Sequence, residues 1–135
     1  MSRKYSISVV IPNYNGIKLL KANLPALFKA LDTAAVEYEV IVVDDCSTDN
    51  SAGFITSHYP DIKLEINRHN EGFSPTIDKG IMLAQMDLVF SLNSDVLLSP
   101  DYFQHQFHYF EKEDTFGVMG RIIGMQDDTL QDAAK

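Results

Sequence analysis

Tyr38-Glu39-Val40-Ile41-Val42-Val43-Asp44-Asp45 decides the fold class: an apolar, β-branched run stops abruptly at two adjacent carboxylates. Tyr38 to Val43 reads as a strand with the acidic pair at its end. Upstream, Ile7 to Ile11 is a shorter β-branched run that ends at Pro12 and reads as a strand buried on both faces. Between the two, Leu20, Leu24, Leu27 and Leu31 carry helical spacing through Ile17 to Leu31. Pro25 falls inside that pattern, and a proline lacks the N–H donor and clashes with the preceding turn, so a kink or two short helices are predicted. Downstream, Cys46 to Asn50 is a polar turn in which Asp49 is the candidate helix cap, its carboxylate placed to accept an orphan amide of the first turn. Ala52, Ile55 and Tyr59 mark that helix, and Ile62 to Ile66 alternates like a less buried strand.

Asn67 to Gly72 then reads as a loop, with Ser74 as a helix cap and Pro75 in the first helical position. Phe73, Ile77, Ile81 and Ala84 trace the expected buried stripe of that helix. Leu88 to Leu92 is a further strand ending at Asn93, Ser94 and Asp95. Ser99 and Pro100 repeat the cap-plus-proline start, with Phe103, Phe107 and Phe110 as an aromatic face, and Phe116 to Ile123 is read as a last strand. Strands alternating with helices imply an α/β fold with a mostly parallel sheet and helices on both faces. In such sheets ligands bind beyond the carboxyl ends of the strands. The polar strand ends at Pro12–Asn15, Asp44–Asp45 and Asn93–Asp95 are therefore expected on one rim. The stretch from Asp127 to Lys135 has no closing element, and the fold is expected to continue beyond it.

The chain has 135 residues, a formal charge of −8, 45% apolar residues and one cysteine, Cys46. One domain, or part of a larger one, is implied. The negative charge argues against nucleic acid and anionic membrane surfaces. A single cysteine forms no intrachain disulfide, no stretch has the length of a membrane span, and a cytoplasmic location is expected. Any phosphate-bearing ligand needs a local cation to offset the charge.

Asp44, Asp45 and Asp95 at one rim would repel one another, and a hard divalent cation, Mg²⁺ or Mn²⁺, is the simplest partner for oxygen ligands that also grip phosphates. Asp95 is the metal candidate, because it follows a buried strand. Asp45 suits acceptance of a hydrogen bond from a pyrimidine ring N–H or ribose hydroxyls, and Tyr14 offers a ring face for a base, a contact worth about 1–3 kcal/mol. A strand-end aspartate is more often a turn former than a ligand, so the weight falls on the three together. His105 and His108, three residues apart with no carboxylate beside them, read as surface residues, and Asp127-Asp128 as a solvated turn.

Ile7-Ser8-Val9-Val10-Ile11-Pro12-Asn13-Tyr14-Asn15 resembles the opening of family-two glycosyltransferases, as does Val42-Val43-Asp44-Asp45-Cys46-Ser47-Thr48-Asp49. Asn70-Glu71-Gly72-Phe73 is similar to the family's next loop, and Leu92-Asn93-Ser94-Asp95-Val96 to its metal motif in the form common among rhamnosyltransferase-like members. The four segments stand in the family's order over nearly the whole chain. The resemblance implies a GT-A, Rossmann-like fold, an inverting transfer from a nucleoside-diphosphate sugar of the UDP or dTDP type, and a carbohydrate or lipid-linked acceptor in cell-surface polysaccharide biosynthesis, at the inner face of the membrane. Donor-binding positions would be Pro12, Tyr14, Asn15, Asp44, Asp45, Asn70, Gly72, Lys79, Asn93 and Ser94, with Asp95 on the metal and Lys79 near the donor phosphates. Asn93 stands where the family has an aspartate, and Asp78-Lys79 replaces a small polar pair. The family's catalytic base lies well beyond the metal motif, so it is expected past Lys135 and residues 1–135 are expected to supply only donor and metal binding.

Two other readings compete. A response-regulator receiver also has an acidic pair after a strand, but there it follows the first strand, whereas a full strand–helix unit precedes Asp44. A non-catalytic nucleotide-sugar-binding module would share the same rim. Self-association is left open.

Overall fold

The structure, a computed structural model, describes residues 6–103 together with the backbone of residues 122–123 and 130–131. Its elements run β1 (Ile7–Asn13), α1 (Ile17–Ala34), β2 (Tyr38–Asp44), α2 (Ser51–His58), β3 (Lys63–Ile66), α3 (Phe73–Leu83) and β4 (Leu88–Ser91). A separate antiparallel pair joins β5 (Ile122–Ile123) to β6 (Leu130–Gln131). The main sheet has the order β3-β2-β1-β4, and every pairing in it is parallel. The predicted α/β architecture, with helices on both faces, is thus present. Of the strand expected at Phe116 to Ile123, Ile122 and Ile123 lie in β5; its other residues, and Phe107, Phe110, His105, His108, Asp127 and Asp128, lie outside the described residues.

Side-chain alternation along β1 and β2 divides the core into two layers. Val9, Ile11, Val40 and Val42 face Leu20, Leu24, Leu27 and Leu31 of α1 and Ile55 of α2 in the larger layer. Val10, Ile41 and Val43 form a thinner layer on the opposite face, where α3 lies. That thinness comes from Gly80. A β-carbon there would sit 2.2 Å from Val10 Cγ1 and 3.2 Å from Val43 Cγ2, so the α3 backbone rests almost directly on the sheet. The buried face of α3 is Thr76 and Gly80, whereas Phe73 and Ile81 of the expected stripe are exposed. Close approach, not apolar bulk, selects the inward face.

Two other expectations are corrected. α1 is one continuous helix through Pro25. An interior proline costs about 3 kcal/mol, but Leu20 and Leu24 before it and Leu27 and Leu31 after it are all buried, at roughly 1.5–3 kcal/mol each. Helix α3 begins at Phe73, after Gly72 (φ +94°), so Ser74 is not its cap and Pro75 is the third helical residue. Proline is accepted there because amides of the first turn have no helical partner in any case. Asn50 holds the N-cap position of α2, and Asp49, one residue before it, supplies the hydrogen bond expected of a cap. Its carboxylate accepts from the Ser51 amide (3.0 Å) at the start of α2 and from the Ile17 amide (3.1 Å) at the start of α1.

Candidate functional site

Successive connections carry β1 to β2 to β3 in one direction, with α1 and α2 on one face. The connection through α3 then crosses back and sets β4 on the other side of β1. The direction in which successive strands are added reverses at β1, between β2 and β4, the kind of switch point at which open α/β sheets bind ligands. A cavity of about 520 Å³ lies at the carboxyl ends of these strands. Pro12, Asn13 and Tyr14 reach it from the end of β1, Asp45 from the end of β2, and Asn93, Ser94 and Asp95 from the end of β4. Asp45 and Asp95 therefore share one cavity.

The acidic pair splits by strand alternation. Asp44, 2% exposed, turns to the α1 side, where it accepts from Asn13 Nδ2 (2.8 Å), the Ser47 hydroxyl (2.7 Å) and the Ser47 amide (2.9 Å). It closes its own turn and does not line the cavity. Asp45, 5% exposed, turns to the α3 side. Its Oδ1 accepts from Asn67 Nδ2 (2.9 Å) and the Glu71 amide (2.7 Å), and its Oδ2 from the Gly72 amide (3.0 Å). Burial would raise its pKa, but the Glu71 amide, the Asn67 side chain, the Gly72 amide and the Thr76 hydroxyl hold it below the ordinary carboxylate value.

Asp95 differs from both: it is exposed and carries no protein partner among the described residues that would commit it elsewhere. The loop bearing it is held from beneath. Leu92, Val96 and Leu98 are buried, and Asn23 of α1 donates to the Ser94 carbonyl at 2.7 Å. The three aspartates do not form one cluster, and no group of three metal-ligating side chains occurs among the described residues. A preformed three-carboxylate cage is therefore replaced by a single free carboxylate flanked by Asn93 and Ser94. This fits Mg²⁺ or Mn²⁺ bound jointly with a ligand, since such ions commonly take one or two carboxylates plus phosphate oxygens and water.

The remaining expected residues divide. Asn70 and Gly72 line the cavity, and Asn70 Nδ2 also donates to the Asp45 carbonyl (3.2 Å). Asn15 (φ +52°) does not; its Oδ1 accepts from the amides of Thr48 (2.7 Å) and Asp49 (3.1 Å), tying the loop after β1 to the loop after β2. Lys79 also stands outside the lining, and its ammonium is held by Asn67 and Glu71. The structure adds Leu19, Phe73 and Thr76 as wall residues. Asn13 is buried, with Oδ1 lacking a partner among the described residues. Asn23 had a readable signal, an amide inside an apolar helical stripe; the wall residue Phe73, matching the stripe's spacing, had none.

Depressed carboxylates predict acid sensitivity. Glu39 and Asp49, like Asp45, experience burial that raises the pKa and hydrogen bonds that lower it further than burial raises it; for Glu39 the donors are Lys63, Ser8 and the Gln85 amide. A group with a lowered folded pKa contributes stability above its unfolded value and loses it as pH falls through the folded value. Melting temperature should thus stay flat from pH 7 to about 5 and fall steeply below about 4, as thermal melts across that range would record.

The Glycosyl transferase family 2 model matches residues 8–134. An uncharacterized glycosyltransferase of Nostoc sp. is 32% identical over 133 residues, covering 95% of this chain and 40% of that protein. The undecaprenyl-phosphate 4-deoxy-4-formamido-L-arabinose transferase of Yersinia pestis is 31% identical over 129 residues, covering 92% of this chain and 38% of that one. This chain thus spans about two-fifths of the length of these curated relatives. Among solved structures, S. aureus TarS 1–349 in complex with UDP-GlcNAc superposes with a TM-score of 0.68 at 24% identity, over 79% of this chain and 31% of that one. The mannosyltransferase PcManGT from Pyrobaculum calidifontis, in complex with GDP-Man and Mn²⁺, superposes with a TM-score of 0.72 at 21% identity, over 85% of this chain and 34% of that one. At these identities the superpositions show the shared fold.

Proposed function

Because this chain belongs to glycosyl transferase family 2, we propose that residues 1–135 are the donor-binding part of an enzyme that moves a sugar from a nucleoside diphosphate to an acceptor hydroxyl. The observation that carries this is that one cavity is lined by exposed aromatic side chains, a buried carboxylate and a free carboxylate together. Tyr14, 54% exposed, offers a ring face for the base, and Phe73 adds apolar wall nearby. Asp45 is the acceptor for a pyrimidine ring N–H, which favours UDP or dTDP; that N–H would share an oxygen with the amides of Glu71 or Gly72. Pro12, Asn70 and Gly72 complete the donor site, and Asn15, Asp44 and Lys79 act on it through the loops they brace.

Asp95, with Asn93 and Ser94 beside it, is the proposed holder of Mg²⁺ or Mn²⁺ at the diphosphate. Such an ion supplies Lewis-acid stabilisation of a departing nucleoside diphosphate. Asp95 is the one uncommitted carboxylate among the described lining residues, so the base that removes the acceptor proton in an inverting displacement is assigned outside residues 6–103. Assignment to a rhamnosyltransferase-like subset rests on Leu92-Asn93-Ser94-Asp95-Val96, and the undecaprenyl phosphate in the name of the Yersinia relative supports a lipid-linked acceptor. No helix among the described residues is long and apolar enough to cross a membrane.

Calorimetric titration with UDP, dTDP and GDP, each with and without Mn²⁺, tests the proposal. Binding of one pyrimidine diphosphate, tightened at least about tenfold by Mn²⁺, is expected. Failure of every nucleotide to bind in both arms would overturn it.

A further inference from the structure

We propose that Lys79 is a positioning residue that sets the orientation of the Asn67 carboxamide and, through it, the shape of the cavity wall at Asp45. Lys79 touches no part of the cavity. Its ammonium instead donates to Asn67 Oδ1 and pairs with Glu71 Oε2 at 3.1 Å. Asn67, 2% exposed, passes the effect on: its Nδ2 donates to Asp45 Oδ1 (2.9 Å) and to Thr76 Oγ1 (3.0 Å).

The chemistry of the two ends makes this arrangement one-way. An ammonium carries only donors and an ionised carboxylate only acceptors. With Lys79 on one side and Asp45 on the other, the carboxamide must aim its oxygen at the lysine and its NH₂ at the aspartate. Rotated by half a turn, it would set oxygen against carboxylate and NH₂ against ammonium. The network also closes on itself. Glu71, paired with Lys79, donates its backbone amide to Asp45 Oδ1, and Gly72 donates to Oδ2. One partly exposed lysine thereby holds the loop 67–72 against the buried carboxylate from outside the cavity.

The test compares the intact chain with Lys79→Met, Lys79→Arg and Glu71→Gln, using NMR titration of the Asp45 carboxyl carbon and hydrogen exchange at Glu71 and Gly72. Lys79→Met should raise the Asp45 titration midpoint and speed exchange at those two amides about tenfold or more, with β1 and α1 amides unchanged. Lys79→Arg, which can still donate to both partners, should restore both readouts. Glu71→Gln should change them less, because Asn67 keeps its donor. Should Lys79→Met fail to fold, Lys79→Leu is judged by the same readouts. An unmoved Asp45 titration with unchanged exchange, or a larger effect from Glu71→Gln than from Lys79→Met, would overturn the inference. The functional consequence rests on the donor-site reading: Lys79→Met should weaken UDP–Mn²⁺ binding about tenfold and Lys79→Arg should recover it. If UDP fails to bind the unaltered chain, that reading fails, while the titration and exchange still judge Lys79.

Discussion

Asp45→Ala should cost the chain about 3 kcal/mol of stability and abolish nucleotide binding. Hydrogen bonds to a charged acceptor contribute about 1.5–3 kcal/mol each, and a buried donor left without a partner costs about 1–3 kcal/mol. Asp45 receives the Asn67 side chain and the amides of Glu71 and Gly72. Water can reach the partly buried loop amides, which keeps the total below the sum of those terms. Asp45→Asn should be nearly as damaging although it keeps the shape, because its NH₂ must face donors on one side. Urea unfolding of both variants, with UDP titration of each, checks this; an Asp45→Asn protein as stable as the unaltered chain would show that shape, not charge, organises the loop.

Gly80→Ala should destabilise by about 1–3 kcal/mol, as overpacked cores do, despite the gain in helix propensity of about 1 kcal/mol. The added methyl would lie 2.2 Å from Val10 Cγ1, and Val10 is fully buried in the central strand, where it has no room to retreat. Relief should come from the partner. Val10→Ala alone leaves a cavity, but in the double variant the new methyl occupies part of it. The double-mutant cycle should therefore show a favourable coupling of about 1 kcal/mol or more. Additive effects would mean that α3 shifts off the sheet rather than pressing on Val10.

Strands were legible because their β-branched runs end in polar residues, and α1 because its leucines repeat at helical spacing. The shared rim followed from parallel order, since every strand then delivers its carboxyl end to one side. What was not legible is instructive. Asp44 and Asp45 are identical in type and adjacent, yet pleating sends one to its own turn and the other to the cavity wall. The inward face of α3 carries Thr76 and Gly80, which leave no hydropathic trace; the role of Gly80 appears only against Val10 and Val43, and that of Thr76 only against Asn67. Asn15 and Lys79 look like ligand-binding residues in sequence; the Asn15 Oδ1 and the Lys79 ammonium are engaged in bracing loops. A polar side chain's partner is a tertiary fact, and neither its type nor its spacing states it.

The ends of β1, β2 and β4 build one cavity, and Asp95 is proposed to hold a cation there against a diphosphate. Paramagnetic broadening of amide resonances by Mn²⁺, recorded with and without UDP in the unaltered chain and in Asp95→Ala, tests it most directly. Broadening is expected to centre on Asn93 to Asp95 and extend to Tyr14, to strengthen with UDP and to be lost in Asp95→Ala. Broadening centred on another acidic patch, or unaffected by both UDP and the Asp95 substitution, would contradict it.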